Sequence, residues 1–298
     1  MTAENFRCGF VSLAGRSNVG KSTLLNALVG QKLSIVTHKP QTTRYRQAGI
    51  RTTEDSQLIF IDTPGLHRAA GRALNRVMNR TAVQTLSEGD VVLFVVEAFR
   101  WTHEDNDLLE HLRSLQAPVI AVANKIDLVK PRENLLPQID ALAQRMDFAA
   151  IVPVSAKQGT SLDRLQEVIA GLLPAGPPLY PPEQTTDRDE QFHAAEIIRE
   201  QLLLRLQQEL PYGVQVGIES YEMQPDLLHI NAIIWVERSA HKAIVIGRQG
   251  SMLKGIGSAA RVELEQRAGR KVNLKLWVKV RNNWSDDAAD LQRFGYDN

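Results

Sequence analysis

The 298 residues, 43% hydrophobic and 23% charged, suffice for one large or two ordinary soluble domains with buried cores. A formal net charge of +1 excludes a globally basic chain, so any nucleic-acid signal has to be local. The single cysteine, Cys8, excludes an internal disulfide framework and suits a reducing compartment, and its place before an apolar run marks it as a packing residue.

From residue 6 to 173 short apolar runs alternate with longer amphipathic ones. The predicted strands cover 10–13, 47–53, 57–62, 91–96, 119–124 and 150–154, and the predicted helices 21–29, 72–88, 104–116, 133–146 and 161–172. Several strands are almost continuously hydrophobic, as expected where helices cover both faces of a parallel sheet. Strands 47–53 and 57–62 lie too close in sequence for a crossover, so they should pair antiparallel. Neither a signal-peptide pattern nor an apolar run of the ~20 residues a membrane span needs is present, and the expectation is a cytosolic protein.

The run 15–22, GRSNVGKS, sits between the first predicted strand and the first predicted helix, the setting a phosphate loop requires. Glycines at Gly15 and Gly20 let the backbone turn its N–H groups toward phosphate, and the nucleotide-binding set is Gly15, Asn18, Val19, Gly20, Lys21, Ser22 and Thr23. Lys21 adds a point charge for the β- and γ-phosphates, and the Ser22 hydroxyl faces Mg²⁺. In DTPG at 62–65, Asp62 ends a strand, so its carboxylate emerges at the sheet edge where ligands bind, while the Gly65 N–H meets the γ-phosphate. Alone this would be a plain turn; downstream of a phosphate loop it reads as a metal and phosphate sensor.

In NKID at 124–127, Asp127 can accept two hydrogen bonds from guanine N1 and N2, which adenine cannot offer. Sites built on such buried bonds reject the wrong partner by roughly 10⁴–10⁵. Asn124 braces the loop and touches N7, and the Lys125 stem lies over the ring. In the run Ser155, Ala156, Lys157 the Ala156 N–H is expected at guanine O6. The expected ligands are therefore GTP or GDP with Mg²⁺, the metal held by Ser22, Asp62 and a threonine of segment 32–46. Thr43 is the candidate that ligates Mg²⁺ only beside a γ-phosphate; Thr42 is the alternative, and an exposed polar loop the plain reading. Leu66 stands where Ras-type enzymes carry a water-orienting glutamine, and no arginine identifies itself as a finger in cis, so intrinsic hydrolysis should be slow. The catalytic candidates are Lys21, Thr43 and Asn18.

Residues 174–182 hold five prolines in nine positions, a stiff extended stretch that neither helix nor ladder can use. It divides the chain into an α/β phosphate-loop domain at 1–174, a linker at 175–188 and an α+β domain with a tail at 189–298. The second domain reads as a helix at 189–209, strands at 213–221 and 227–236, helices at 240–246 and 251–267, and a strand at 272–281. Leu202, Leu203, Leu206 and Leu210 recur at helical spacing and read as core. Between its last two helices lies GRQG at 247–250; Ile246, Gly247, Arg248, Gln249, Gly250 and Lys254 form a candidate G-x-x-G clamp, which in a KH fold grips about four single-stranded nucleotides. From Arg238 to Arg281 eleven cations face only Glu263 and Glu265, the local basic signal that the total charge hides. In the last strand Leu274, Leu276, Val278 and Val280 alternate with Lys275, Trp277, Lys279 and Arg281. Lys275, Trp277 and Lys279 join the RNA-binding candidates, although for Trp277 a solvated strand face is as good a reading.

A phosphate-loop GTPase followed by a type II KH arrangement resembles the Era family of bacterial GTPases over nearly the whole chain. The resemblance rests on GRSNVGKS (15–22), QTTR (41–44), DTPGLH (62–67), NKID (124–127), SAK (155–157) and VIGRQG (245–250). It departs at Ser17, where many relatives carry proline, which touches loop stiffness more than chemistry. The resemblance implies a GTPase that binds the 3′ end of 16S ribosomal RNA on the 30S subunit and serves as an assembly checkpoint, GTP exposing the RNA site and hydrolysis releasing it. The expected state is a cytoplasmic monomer, with peripheral association at the inner membrane face as the alternative location. In several GTPases similar to this one, an asparagine at the place of Asn18 coordinates K⁺ where an arginine finger would sit; the other reading of Asn18 is a cap on the loop. Two further functional readings stand beside it: an RNA-binding module with a structural nucleotide, and a membrane or cell-cycle GTPase that uses the KH fold to dock protein.

Overall fold

A computed structural model describes residues 6–65, 71–206 and 213–296, and its contacts divide the chain into two compact units. Of the described residues, 6–34, 43–65 and 78–187 form the first unit, and 35–42, 71–77, 188–206 and 213–296 the second. The expected Leu66, His67 and Leu210 features lie outside the described residues.

The first unit is a six-stranded sheet in the order β2-β3-β1-β4-β5-β6. Its strands are β1 (Arg7–Ala14), β2 (Gln47–Thr52), β3 (Ser56–Asp62), β4 (Val91–Glu97), β5 (Val119–Asn124) and β6 (Ala150–Pro153). All pairs are parallel except β2–β3, whose register runs from Gln47↔Asp62 to Thr52↔Gln57. The mixed sheet with one antiparallel edge pair is the arrangement expected from the sequence. Helices α1 (Lys21–Val29), α2 (Ala73–Glu88), α3 (His103–Leu112), α4 (Leu135–Ala143) and α5 (Leu162–Leu172) follow the strands. Leu24, Leu28, Leu165 and Ile169 pack with Val11, Leu13, Leu93 and Val122 in one core, and Leu108 and Leu112 with Phe94 and Ala121 in another. Strand β3 is buried along its whole length because both faces are covered. Helix α3 begins with a capping box at Thr102 and Asp105 and stops earlier than its periodicity suggests, in the turn that leads to Pro118.

The proline-rich segment is not a free spacer. Cys8 N–H donates to Pro174 O at 3.1 Å, and the buried Gln57 side chain accepts from the Leu179 and Tyr180 N–H groups while donating to Tyr180 O at 2.8 Å. Ile50 N–H then donates to Thr185 O at 2.8 Å, so residues up to Asp187 lie against β2 and count with the first unit. Proline cannot donate, and a strand edge that needs acceptors can use such a segment.

The second unit carries α6 (Glu190–Arg205), β7 (Val214–Met223), β8 (Leu227–Val236), α7 (Ser239–Ile246), α8 (Ser251–Ala268), β9 (Lys271–Val280) and α9 (Ala288–Arg293). Its sheet runs β7-β8-β9, antiparallel then parallel, which leaves β9 at an edge. Asp189 caps α6 by accepting from Phe192 N–H at 2.7 Å. Ile198, Leu202, Ile230, Ala232, Ile234, Ile256 and Ala260 form its core. The tail is folded, which the sequence reading did not foresee: Trp284 is fully buried with its indole N–H on Gly213 O, and it stacks on Tyr296 at 6.4 Å.

Candidate functional site

Four of the expected motifs meet at the C-terminal edge of the first sheet, because β1, β3, β5 and β6 run in the same direction and end there. Lys21 opens α1 and folds back over the loop, donating to Gly15 O at 2.7 Å and Arg16 O at 3.0 Å. Burial pushes its ammonium down to about 8, against the pull of Asp62 and with the help of Arg16. Gly65 lies against the same loop, a side chain there falling 3.2 Å from Ser17 N and 3.4 Å from Lys21 Nζ. The position of Gly20, at φ 101°, suits only glycine without strain: a Cβ would sit 2.4 Å from the Asn124 amide nitrogen and push that side chain away. That close approach lets Asn124 donate to Val19 O at 2.9 Å, tying the base loop to the phosphate loop.

Asp62 is fully buried at the end of β3. Its Oδ2 accepts from Ser22 Oγ and Ser34 Oγ at 2.9 Å each and from Thr43 Oγ1 at 3.5 Å, and Ser22 Oγ lies 2.9 Å from Thr43 Oγ1. Its Oδ1 has no hydrogen-bond partner. Burial raises its carboxyl above the usual range, with Lys21 and the three hydroxyl donors pulling it partly back. A buried carboxylate with an orphaned oxygen beside two convergent hydroxyls fits a hard cation with oxygen ligands such as Mg²⁺. Among the described residues no cluster of three His, Cys, Asp or Glu side chains offers a competing metal site. Thr43 and Thr42 separate cleanly. Thr42 Oγ1 is engaged in the second unit, 2.6 Å from Thr37 Oγ1 and 2.7 Å from Lys39 O, whereas Thr43 Oγ1 stands beside Ser22 and Asp62.

At the expected guanine clamp Ser155 Oγ donates to Asp127 Oδ1 at 2.6 Å, fixing the carboxylate. Lys125, at φ 65°, sends its Nζ to Asn18 O at 2.7 Å and to Glu97. Asn124 is spent on bracing: its Oδ1 accepts the Ala156 N–H at 3.0 Å, the group expected at guanine O6. Lys157 is exposed, whereas Val19 is buried.

Sequence reasoning missed the residues that hold this edge together. Glu97, at the end of β4, bridges Arg16 at 2.5 Å and Lys125, and Arg16 also reaches Asp105 at 3.2 Å. Burial alone would raise the Glu97 carboxyl, but the bonds from Lys125 and Arg16 hold it below the usual range. Asn26 shapes the turn after α1, accepting from Leu33 and Ser34 N–H at 2.9 Å each and thereby placing Ser34 on Asp62. None of these carries a motif; an acid at the end of a buried strand was the one available signal.

In the second unit Gly247 (φ 73°) leaves room for α8, since a Cβ would stand 2.6 Å from Met252 Cβ. Beyond it a groove of about 380 Å³ is floored by Leu253, Gly257, Leu274 and Leu276 and edged by Lys254, Ser258 and Arg261. The apolar floor suits base faces and the cations suit phosphates. The structure divides the RNA candidates. Gly250 and Lys254 line the groove, but Lys275, Trp277 and Lys279 alternate with its floor residues and so occupy the opposite face of β9.

Residues 10–125 match the family described as a 50S ribosome-binding GTPase, and residues 209–285 match the KH domain. The chain is 49% identical over 297 residues to the GTPase Era of Azotobacter vinelandii, covering 99% of each. It is 48% identical over 289 residues to the GTPase Era of Marinobacter nauticus, covering 97% of this chain and 95% of that one. The chain belongs to the Era family of GTPases. A solved structure of Era in complex with MgGDPNP and nucleotides 1506–1542 of 16S ribosomal RNA matches with a TM-score of 0.94 at 40% identity, covering 98% of this chain and 99% of that one. A variant of Aquifex aeolicus Era bound to GDP and AlF₄⁻ matches with the same score, identity and coverage. Among the described residues no helix is long and apolar enough to cross a membrane.

Proposed function

We propose that this GTPase is a switch whose nucleotide state governs its hold on the single-stranded 3′ end of 16S ribosomal RNA during maturation of the 30S subunit. The RNA part of this reading is supported by the KH groove described above and by the chain's likeness to an Era protein crystallised with that segment. Asp127 and Ser155 select guanine, Asn124 and Lys125 lock the base loop to the phosphate loop, and Lys21 is held where β- and γ-phosphates would lie. Ser22, Thr43 and Asp62 would hold Mg²⁺, which when bound neutralises phosphate charge during transfer. Asn18, at φ 64° within the loop, would place a K⁺ ion in the role of a missing arginine finger.

One observation carries the switch. Thr43 belongs to the metal pocket of the first unit, while Thr42, its covalent neighbour, belongs to the second. There Arg199, fully buried on α6, donates to Thr42 O at 2.5 Å, and Glu200 accepts the Val36 N–H at 2.8 Å. A segment that is pulled at one end by a γ-phosphate-dependent ligand and anchored at the other to the RNA-binding unit has the connectivity a switch requires. RNA affinity of the GDP and GTP-analogue forms, measured at one salt concentration, tests this; equal affinities refute it. Turnover that never rises above background, with or without the RNA, would leave an RNA-binding module with a structural nucleotide.

A further inference from the structure

The outer face of the KH sheet, opposite α6, α7 and α8 and covered at one end by α9 and the tail, carries a second set of groups suited to nucleic acid. The register gives its rows: Gln215–Trp235–Lys279, Gly217–Ile233–Trp277, Ser220–Asn231–Lys275 and Glu222–His229–Asn273. Trp277 is 42% exposed, a large apolar ring left open to solvent on an edge strand. It sits beside Ile233, and the third place in its row is Gly217, where the Trp235 indole N–H lies 3.7 Å from the position a Cβ would take. Trp235 packs against Phe294 at 6.1 Å, with Lys279 at 5.7 Å and Arg293 at 5.9 Å over its ring.

Charge is graded across the face. Lys271, Lys275 and Lys279 line β9, whereas Glu219 and Glu222 lie on β7, Glu219 pairing with Lys279 at 3.2 Å. Lys271 and Lys275 form no ion pair among the described residues. Between them stand amides that can read base edges: Asn231, bonded to Ser220 Oγ at 2.7 Å, and Asn273, 3.1 Å from His229 Nδ1. Aromatic rings for stacking, lysines along one border and amides between are the components by which sheet surfaces hold single-stranded RNA.

We propose that this outer face is a second RNA subsite, with phosphates along β9 and one base stacked on Trp277. The proposal rests on the RNA reading above and extends it. Because β9 is an edge strand and its other face floors the groove, one continuous strand can leave the groove, pass the free edge of β9 and reach Trp277. A G-x-x-G groove accommodates about four nucleotides, so RNA of that length should not sense the outer face and longer RNA should.

The test measures binding of a 4-nucleotide and a 15-nucleotide single strand to the full chain loaded with a GTP analogue, at one salt concentration. Trp277→Ala is expected to weaken the longer strand at least about fivefold, the low end of what one stacked base contributes, and to leave the short one unchanged. Trp277→Phe keeps a ring and should restore most of the affinity. Lys275→Gln should lower the salt slope for the longer strand by about 0.7. Unchanged affinity of Trp277→Ala for the longer strand overturns the subsite, as does an equal loss on both strands. Gly247→Asp separates the two readings: if it abolishes binding while Trp277→Ala does nothing, only the subsite fails; if it too leaves binding intact, the groove reading fails with it.

Discussion

Glu97→Gln removes one negative charge from beneath two cations of different motifs while keeping the shape of the side chain. Arg16 belongs to the phosphate loop and Lys125 to the guanine clamp, and both meet this carboxylate. A bond to a charged partner is worth about 1 kcal/mol more than a neutral one. The Arg16 half counts nearly in full, since both side chains are about nine-tenths buried, although Asp105 at 3.2 Å retains part of the arginine's pairing. The Lys125 half is discounted because that side chain is 29% exposed and keeps its bond to Asn18 O. The sum is about 1.5 kcal/mol, or roughly tenfold in nucleotide affinity. Neither Arg16 nor Lys125 is placed at the γ-phosphate, so GDP and a GTP analogue should lose affinity equally, through faster release in a stopped-flow displacement assay. KM should rise and kcat at saturating GTP should stay. A fall in kcat at unchanged KM would refute the reasoning, and so would full additivity with Lys125→Met, since Glu97 is argued to act through that lysine.

Asp127→Asn presents a donor where guanine N1 and N2 need an acceptor, so preference should move from GTP to xanthosine triphosphate; GTP binding at the original strength would break the assignment. Hydrolysis should run faster in K⁺ than in Na⁺, with Asn18→Ala abolishing the difference; equal rates in the two salts would leave Asn18 as a loop cap. Nucleotide affinity should be highest below pH 8 and decline above it. Lys21 has its ammonium lowered to about 8 by burial, the charged form is the one phosphate attracts, and binding above that pH must therefore take up a proton. Calorimetry in two buffers of different ionisation enthalpy reads this uptake directly, and Lys21→Met should remove it.

The motifs were legible because their chemistry is local. A phosphate loop needs its glycines, lysine and serine within one turn of chain, and the antiparallel pair at β2–β3 followed from the short interval between two apolar runs. What stayed hidden is joined only by topology. Glu97 meets Arg16 and Lys125 because β1, β4 and β5 are neighbours in the sheet, an adjacency no single segment encodes. Alternation along β9 was read correctly, yet it could not say which face holds the groove; that is settled by α8 packing over Leu274 and Leu276. The tail failed for a different reason. Trp284, Phe294 and Tyr296 are too widely spaced to show a period, and they become a cluster only when one end of the sheet gives them a surface.

The nucleotide pocket is built at a cost to the fold, and that cost explains how a ligand can command it. Lys21 and Asp62 are both buried, and burial drives each toward its neutral form even though each partly offsets the other. Asp62 spends one oxygen on three hydroxyls and leaves the other with none. Phosphate at Lys21 and a divalent cation at Asp62 would each favour the charged form, so their binding energy is realised in the very groups that ordered hydroxyls now hold in place. Thr43 is the weakest of those holds, at 3.5 Å from the carboxylate, whereas Thr42 is fixed by the buried guanidinium of Arg199. In the proposed switch, loss of a γ-phosphate would act first on the loosest bond, and its effect would run along a single peptide into the segment that α6 retains.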